Sequence, residues 1–150
     1  VARAKFIDSY EYSVFTTSLG KVSKTFPKIV AHVLTAGAAV IADEMRRRLQ
    51  GILSPRATGE LLESFGFTKV KRHRGSRYDT HIGFDGYNSR GAPNQLVSRV
   101  FESGAKYTNK TVRKARPFAK PAIKACKEQV YKTMQVTFDE DINKIMRGDY

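Results

Sequence analysis

Between residues 27 and 53, positions of low polarity recur every three or four residues, at Ile29, Val33, Gly37, Val40, Ile41, Met45, Leu49 and Ile52. That is the spacing of one face of an α-helix. Pro27 suits the first helical turn, where a missing N–H costs nothing, so the helix is expected to open there. At about 1.5 Å per residue it would be roughly 40 Å long, and the rest of the chain is expected to pack on it. The run Ala36-Gly37-Ala38-Ala39 has almost no side-chain bulk and would let another backbone come close. A membrane span is not expected. The unbroken apolar part is short, is interrupted by His32 and Thr35, and gives way to Asp43, Glu44 and Arg46-Arg47-Arg48.

A chain of 150 residues can bury a core without metal or disulfide support, and one domain over residues 1–150 is expected. The lone Cys126 sits in an apolar helical pattern and reads as a small core residue. The first residues alternate polar and apolar side chains with no continuous apolar run, so no export signal is expected. Charge is the strongest compositional signal. The net charge is +13, and residues 65–127 hold fifteen Lys or Arg against Asp79, Asp85 and Glu102. Residues 139–150 run the other way, with four acids and two bases. A polyanionic partner or an acidic neighbouring subunit would suit the basic part, and a merely solubilising surface is the plain alternative.

Taken in order, residues 6–19 place Tyr10, Tyr12 and Val14 between Ser9, Glu11 and Ser13, which predicts a half-buried strand closed by Gly20, with an edge free to pair with a neighbour. Residues 21–26 read as a polar approach to the long helix. After Ser54-Pro55, Thr58 is the expected N-cap of a short helix carrying Glu60 and Glu63 near its positive end. Residues 65–72 and 80–87 read as two strands joined by a polar tip at residues 73–79, with Lys69, Lys71, Arg72, Arg74 and Arg77 making it the densest positive protrusion. Leu96, Val97, Val100 and Phe101 have helical spacing up to a stop at Gly104. Residues 105–116 form a second basic loop with Lys106, Lys110, Arg113, Lys114 and Arg116. From Pro117 a last helix is marked by Phe118, Ala122, Cys126, Val130, Met134, Phe138 and Ile142. A strict four-residue spacing drifts about 40° per step against a 3.6-residue turn. Its stripe must therefore meet different partners along its length or the helix must break, with residues 137–139 the expected place. Pro121 would delay regular helix to about that position.

His32, His73, His81 and Cys126 lack metal-ligand spacing, no phosphate-cradling glycine loop opens a helix, and Glu60 with Glu63 is what helix electrostatics alone would ask for. No enzyme, metal or cofactor is expected. Basic loops with Tyr78 and Tyr107 nearby could contact phosphates and stack bases, which keeps a freestanding basic nucleic-acid-binding protein as the alternative, although no recognised binding motif accompanies them.

Two stretches add a further indication. The run Thr58-Gly59-Glu60-Leu61-Leu62-Glu63-Ser64 after a long Ala-rich helix, and Glu102-Ser103-Gly104 followed by Ala115-Arg116-Pro117-Phe118-Ala119-Lys120-Pro121-Ala122, resemble the tail-component family of tailed bacteriophages, which includes neck and tail-completion proteins. The resemblance spans roughly residues 27–146. It implies an α+β fold, a small antiparallel sheet with long helices on one face. It marks Thr58, Gly59, Leu61, Glu102, Gly104, Ala115, Arg116, Pro117 and Phe118 as motif positions. The implied function is structural: a homo-oligomeric ring of hexamer-type symmetry at the head–tail junction of the virion, a neck or tail-terminator protein made in the host cytoplasm. Its implied partners are connector and tail-tube proteins, with non-specific contact to double-stranded DNA in the channel. Lys69, Lys71, Arg72, Arg74, Arg77, Lys110, Arg113, Lys114 and Arg116 are the candidate contacts.

Overall fold

A computed structural model describes residues 9–106 and 112–149, with side-chain surroundings given from Thr17 onward except at Val112. Helix α1 runs over Ser9–Ile52 and α4 over Ala119–Arg147. The two pack side by side over much of their length. Their sense is antiparallel, since Gly37 lies against Met134 and Val130 while His32 meets Asp141. Between them in sequence come α2 (Glu60–Glu63), the strands β1 (Phe65–Phe67), β2 (Lys71–Arg72), β3 (Tyr78–Asp79) and β4 (Ile82–Phe84), then α3 (Asn94–Ser103), β5 (Ala105–Lys106) and β6 (Val112–Arg113). All the strand pairs are antiparallel, β1 with β4, β2 with β3 and β5 with β6. The class is α+β, as the sequence implies.

The core lies where the C-terminal half of α1, the start of α4 and the first hairpin meet. Ala42, Met45, Leu49, Leu61, Phe65, Phe118 and Ala122 form one buried cluster, with Ile82, Phe84, Val97 and Phe101 packed against it. Phe65 and Phe84 are a cross-strand pair with ring centroids 4.9 Å apart, and Phe84 meets Phe118 edge-on at 6.0 Å. Tilted and edge-to-face contacts are the favoured aromatic geometries, so one register of β1 on β4 locks the sheet to α4. Further along, Ile29 and Ile145 are both buried. The winding stripe of α4 therefore meets different parts of its surroundings along one unbroken helix, and the expected break at residues 137–139 does not occur.

Several expectations are corrected. Residues 10–17 are helical, not a strand, and α1 continues through residues 21–26 and past Pro27, which stands inside it. No edge strand exists there to pair with a neighbour. The alternation of Tyr10, Tyr12 and Val14 is short, whereas Leu19, Val22, Phe26, Ile29 and Val33 keep helical spacing across the proline. One proline removes a single hydrogen bond, to the carbonyl four residues earlier, and the long helix continues on both sides. At Gly37 the small-residue run meets α4, where a Cβ would stand 2.9 Å from Met134 Cγ and Sδ. The N-cap of α2 is Gly59, at φ 82°, and not Thr58. The second strand ends at Phe84, with Tyr87 making only an isolated bridge to Pro93.

Helix α1 also contains, within Thr17–Ile52, an 18-residue window of mean hydropathy 1.5, apolar and long enough to cross a membrane by length and composition. Only 22% of that window is buried. α4 covers one side of α1 and leaves much apolar surface half-covered.

Candidate interaction surface

The first hairpin carries the basic tip. Lys71 pairs with Asp79 and Arg72 with Tyr78 in the β2–β3 register, so the true tip is residues 73–77, shorter than the span expected. Its backbone is folded tightly, with Gly75 at φ 77° and Ser76 at φ 60°. A serine in that region is uncommon, and it holds a turn too sharp for a plain loop. Asp79 organises the side chains: its carboxylate stands 2.9 Å from His73 Nε2 and 3.6 Å from Arg77. The His73 hydrogen bond holds the Asp79 carboxyl below its ordinary range against the opposing effect of burial, with the charges of His73, His81 and Arg77 adding to it. Arg72 lies over the Tyr78 ring, 5.9 Å from its centroid. That ring face is thus occupied and is not a bare platform for a base. Lys69, Lys71, Arg72, Arg74 and Arg77 are all exposed, and among the described residues only Arg77 has a carboxylate within ion-pair distance. β3 also touches α1, which steadies the tip.

The second basic segment divides. Lys110 and Tyr107 lie outside the described residues. Arg113 and Lys114 are exposed on and after β6. Arg116 is committed to structure: its guanidinium donates to the Ile52 carbonyl at 3.1 Å and covers the Phe101 ring at 5.2 Å, while its backbone N–H donates to Phe101 O at 2.7 Å. It ties the C-terminus of α1 to α3.

Arg116 belongs to a joint that collects most of the second family stretch. Glu102, on α3, accepts the backbone N–H groups of Phe118 and Ala119 at 2.9 Å and of Lys120 at 3.1 Å. A helix N-terminus leaves its first N–H groups without intrahelical partners. Here Glu102 takes those of residues 118–120, Pro121 has none to offer, and Ala122 N–H bonds Phe118 O at 3.1 Å. Pro121 thus fits in the first turn, and α4 starts at Ala119, earlier than expected. Partial burial pushes the Glu102 carboxyl up, but the N–H groups of Ala119, Phe118 and Lys120, with the Lys120 charge, leave it below the usual glutamate range. Gly104 ends α3 at φ 75° and ψ 176°, where a Cβ would lie 2.6 Å from Arg113 O and 3.0 Å from Ala115 N. Phe118 is buried in the core, while Ala115 and Pro117 are exposed.

The first family stretch is simpler. Leu61 of α2 is buried in the core cluster, and Gly59 O accepts the Leu62 and Glu63 N–H groups. Glu60 reaches away from its own helix: its carboxylate accepts Ser89 N–H at 3.1 Å and Ser89 Oγ at 3.3 Å, contacts that hold its pKa below the ordinary value. Neither this tie nor the contact of His32 Nδ1 with the buried Asp141 at 2.7 Å has a sequence signal, because both join residues distant along the chain. Among the described residues, no group of three or more His, Cys, Asp or Glu side chains stands close enough to hold a metal.

Against this α+β scaffold of two long helices with a basic hairpin, comparison of the sequence with known families finds a match to part of the chain. Residues 13–84 match the model of the family described as bacteriophage HK97-gp10, putative tail-component. The matched span runs from the projecting half of α1 through α2 to the end of the first hairpin, and so includes Thr58, Gly59, Leu61 and the basic tip. Glu102, Gly104 and residues 115–118 lie beyond it. No curated protein and no solved structure matches the chain. The tail-component match makes this part of the chain similar to a structural part of the virion.

Proposed function

We propose that this chain is a subunit of a ring at the junction of phage head and tail, acting as a neck or tail-terminator protein that joins or caps the tail tube around the DNA channel. The family match over residues 13–84 carries the reading. The architecture supports it: exposed basic residues stand on a braced hairpin, and the acidic residues Asp139 and Glu140 are exposed at the other end of the charge distribution. A surface of one sign at one place and of the other sign elsewhere suits repeated head-to-tail contact between identical subunits. In this reading Lys69, Lys71, Arg72, Arg74 and Arg77, with Arg113 and Lys114, face acidic surfaces of neighbouring subunits or of connector and tail-tube proteins, and the DNA in the channel lies within reach of the same side chains.

The test is charge reversal at the tip. Phage carrying R72E, R74E and R77E together should accumulate heads and tails that fail to join, with infectious titre down by about a hundredfold or more, because like charges replace attraction at each of several contacts. Asp79 and His73 are left in place, so the turn itself persists. Virions of normal number and appearance would remove the tip from the assembly contacts.

A further inference from the structure

Between Glu102 and Glu128 the chain has no acidic residue, yet it holds eight Lys or Arg. The last three, Lys120, Lys124 and Lys127, stand on the first half of α4 at steps of four and three, and Tyr131 follows four residues later. At about 100° per residue the four positions fall within roughly 60° of arc, so they form one straight stripe along the helix. All four are exposed, Tyr131 by 64%, whereas Ala122 and Cys126, on the far side of the same turns, are buried. The ion pairs among the described residues involve none of the three lysines. Glu128 only flanks the stripe, about 70° round the helix from its middle. Beyond Tyr131 the same face turns apolar at Phe138 and Ile142, and the basic stripe ends.

Like charges three or four residues apart weaken a helix. Here α4 carries three of them on its outer face. The chemistry of the stripe selects the kind of partner that would repay this. Protein–protein interfaces have an apolar core with aromatic or arginine anchors, and lysine is depleted in them. Lysine is a compact charge on a flexible stem, and it meets phosphate oxygens without a set geometry; a tyrosine hydroxyl also bonds them. The length fits as well. Lys120 to Lys127 span about 10 Å of helix axis, and one strand of a duplex carries a phosphate about every 3.4 Å, so the stripe covers about three successive phosphates.

We infer that the Lys120–Lys124–Lys127 stripe of α4, extended by Tyr131, binds the phosphate backbone of double-stranded DNA, as a second basic surface besides the hairpin tip. Contact with the backbone alone carries no base preference. For the ring reading this stripe is the face turned towards the channel, and it rests on that reading only for the source of the duplex.

The test is the salt dependence of binding by the full chain to short DNA duplexes of unrelated sequence. K120Q/K124Q/K127Q removes the stripe, and K24Q/R56Q/K132Q removes the same charge from exposed positions off it. Glutamine is close to lysine in helix propensity, so both variants should keep the parent's circular dichroism and melting. The unaltered chain should bind all the duplexes alike. The stripe variant should bind at least about tenfold more weakly at low salt and lose about 2.7 from the slope of log K against log salt, about 0.9 for each phosphate contact. The scattered variant should keep the parent's slope, and K120R/K124R/K127R, which retains the charge, should restore it. An unaltered chain that binds no duplex at low salt overturns the inference, as does a stripe variant with the parent's slope. Equal losses in the stripe and scattered variants would assign the binding to net charge and overturn it too. A stripe variant that keeps the slope but no longer joins tail proteins makes the stripe a protein contact, with the same result. Mass in solution, measured on the same samples, keeps the ring separate: the stripe variant should assemble as the unaltered chain does. An unaltered chain that forms no ring, alone or with tail proteins, yet shows the stripe-dependent slope sustains the DNA contact and removes the ring.

Discussion

Gly104→Ala should destabilise the protein by about 4 kcal/mol, combining about 1–3 kcal/mol for a side chain in a glycine-only backbone region with a steric cost of similar size. The second term is what distinguishes this position. A Cβ at Gly104 meets backbone atoms of the β6 arm, Arg113 O at 2.6 Å and Ala115 N at 3.0 Å, and backbone cannot rotate aside as a side chain does. The neighbouring bond from Arg116 N–H to Phe101 O, 2.7 Å long, would have to lengthen with it. Gly148 is the control: it also has positive φ, 88°, but a Cβ there meets nothing within 4 Å, and its replacement by alanine should cost only about 1 kcal/mol. In thermal unfolding the first variant should melt roughly 10 °C lower and the second within about 4 °C of the parent. Equal shifts would mean that backbone conformation alone, and not the close approach of β6, sets the cost.

Glu102→Ala should cost about 3 kcal/mol, because it strips a charged acceptor from the N–H groups of residues 118–120 at once. Water can reach Lys120 but not fully replace the carboxylate beside the buried Phe118. Glutamine retains one carbonyl acceptor and should recover about half of the loss. The pH dependence follows from the direction of the shift. The folded-state pKa of Glu102 lies below its ordinary value of 4.5, so its contribution is complete above that value and is lost as pH falls through the depressed one. Denaturant midpoints compared at neutral pH and near pH 3 should therefore differ less in Glu102→Gln than in the parent. An unchanged acid limb in the variant would assign the acid sensitivity to other carboxylates, such as Glu60 and Asp79.

The sequence carried the elements whose signal is local. The four-residue spacing from Phe118 onward marked α4, the polar run at residues 73–79 marked the hairpin tip, and Leu96 to Phe101 before Gly104 marked α3. What it did not carry was set by contacts distant along the chain. Residues 10–17 alternate like a strand, yet among the described residues no strand pairs with them, and they follow the helical spacing of the apolar residues beyond. Pro27 and Pro121 both suit helix boundaries by sequence. One stands inside a long helix that absorbs the loss of a single bond, and the other falls in a first turn whose free N–H groups a glutamate from another helix already satisfies. Of the candidate site, the basic tip is legible as charge density, because Lys69, Lys71, Arg72, Arg74 and Arg77 fall close together in sequence. Arg116 was not separable from its basic neighbours by sequence: only the positions of Ile52 and Phe101 show that its charge serves the fold.

The mass of the purified chain in solution tests the proposed ring most directly. Measured over a concentration series at low and high salt, alone, with tail proteins and separately with duplex DNA, that mass is expected to show a discrete ring, alone or on addition of tail proteins. That ring should withstand salt because apolar surface contributes to its contacts. A chain that stays monomeric with tail proteins present, yet binds duplex DNA with affinity falling steeply as salt rises, would contradict it and make the basic hairpin a nucleic-acid surface.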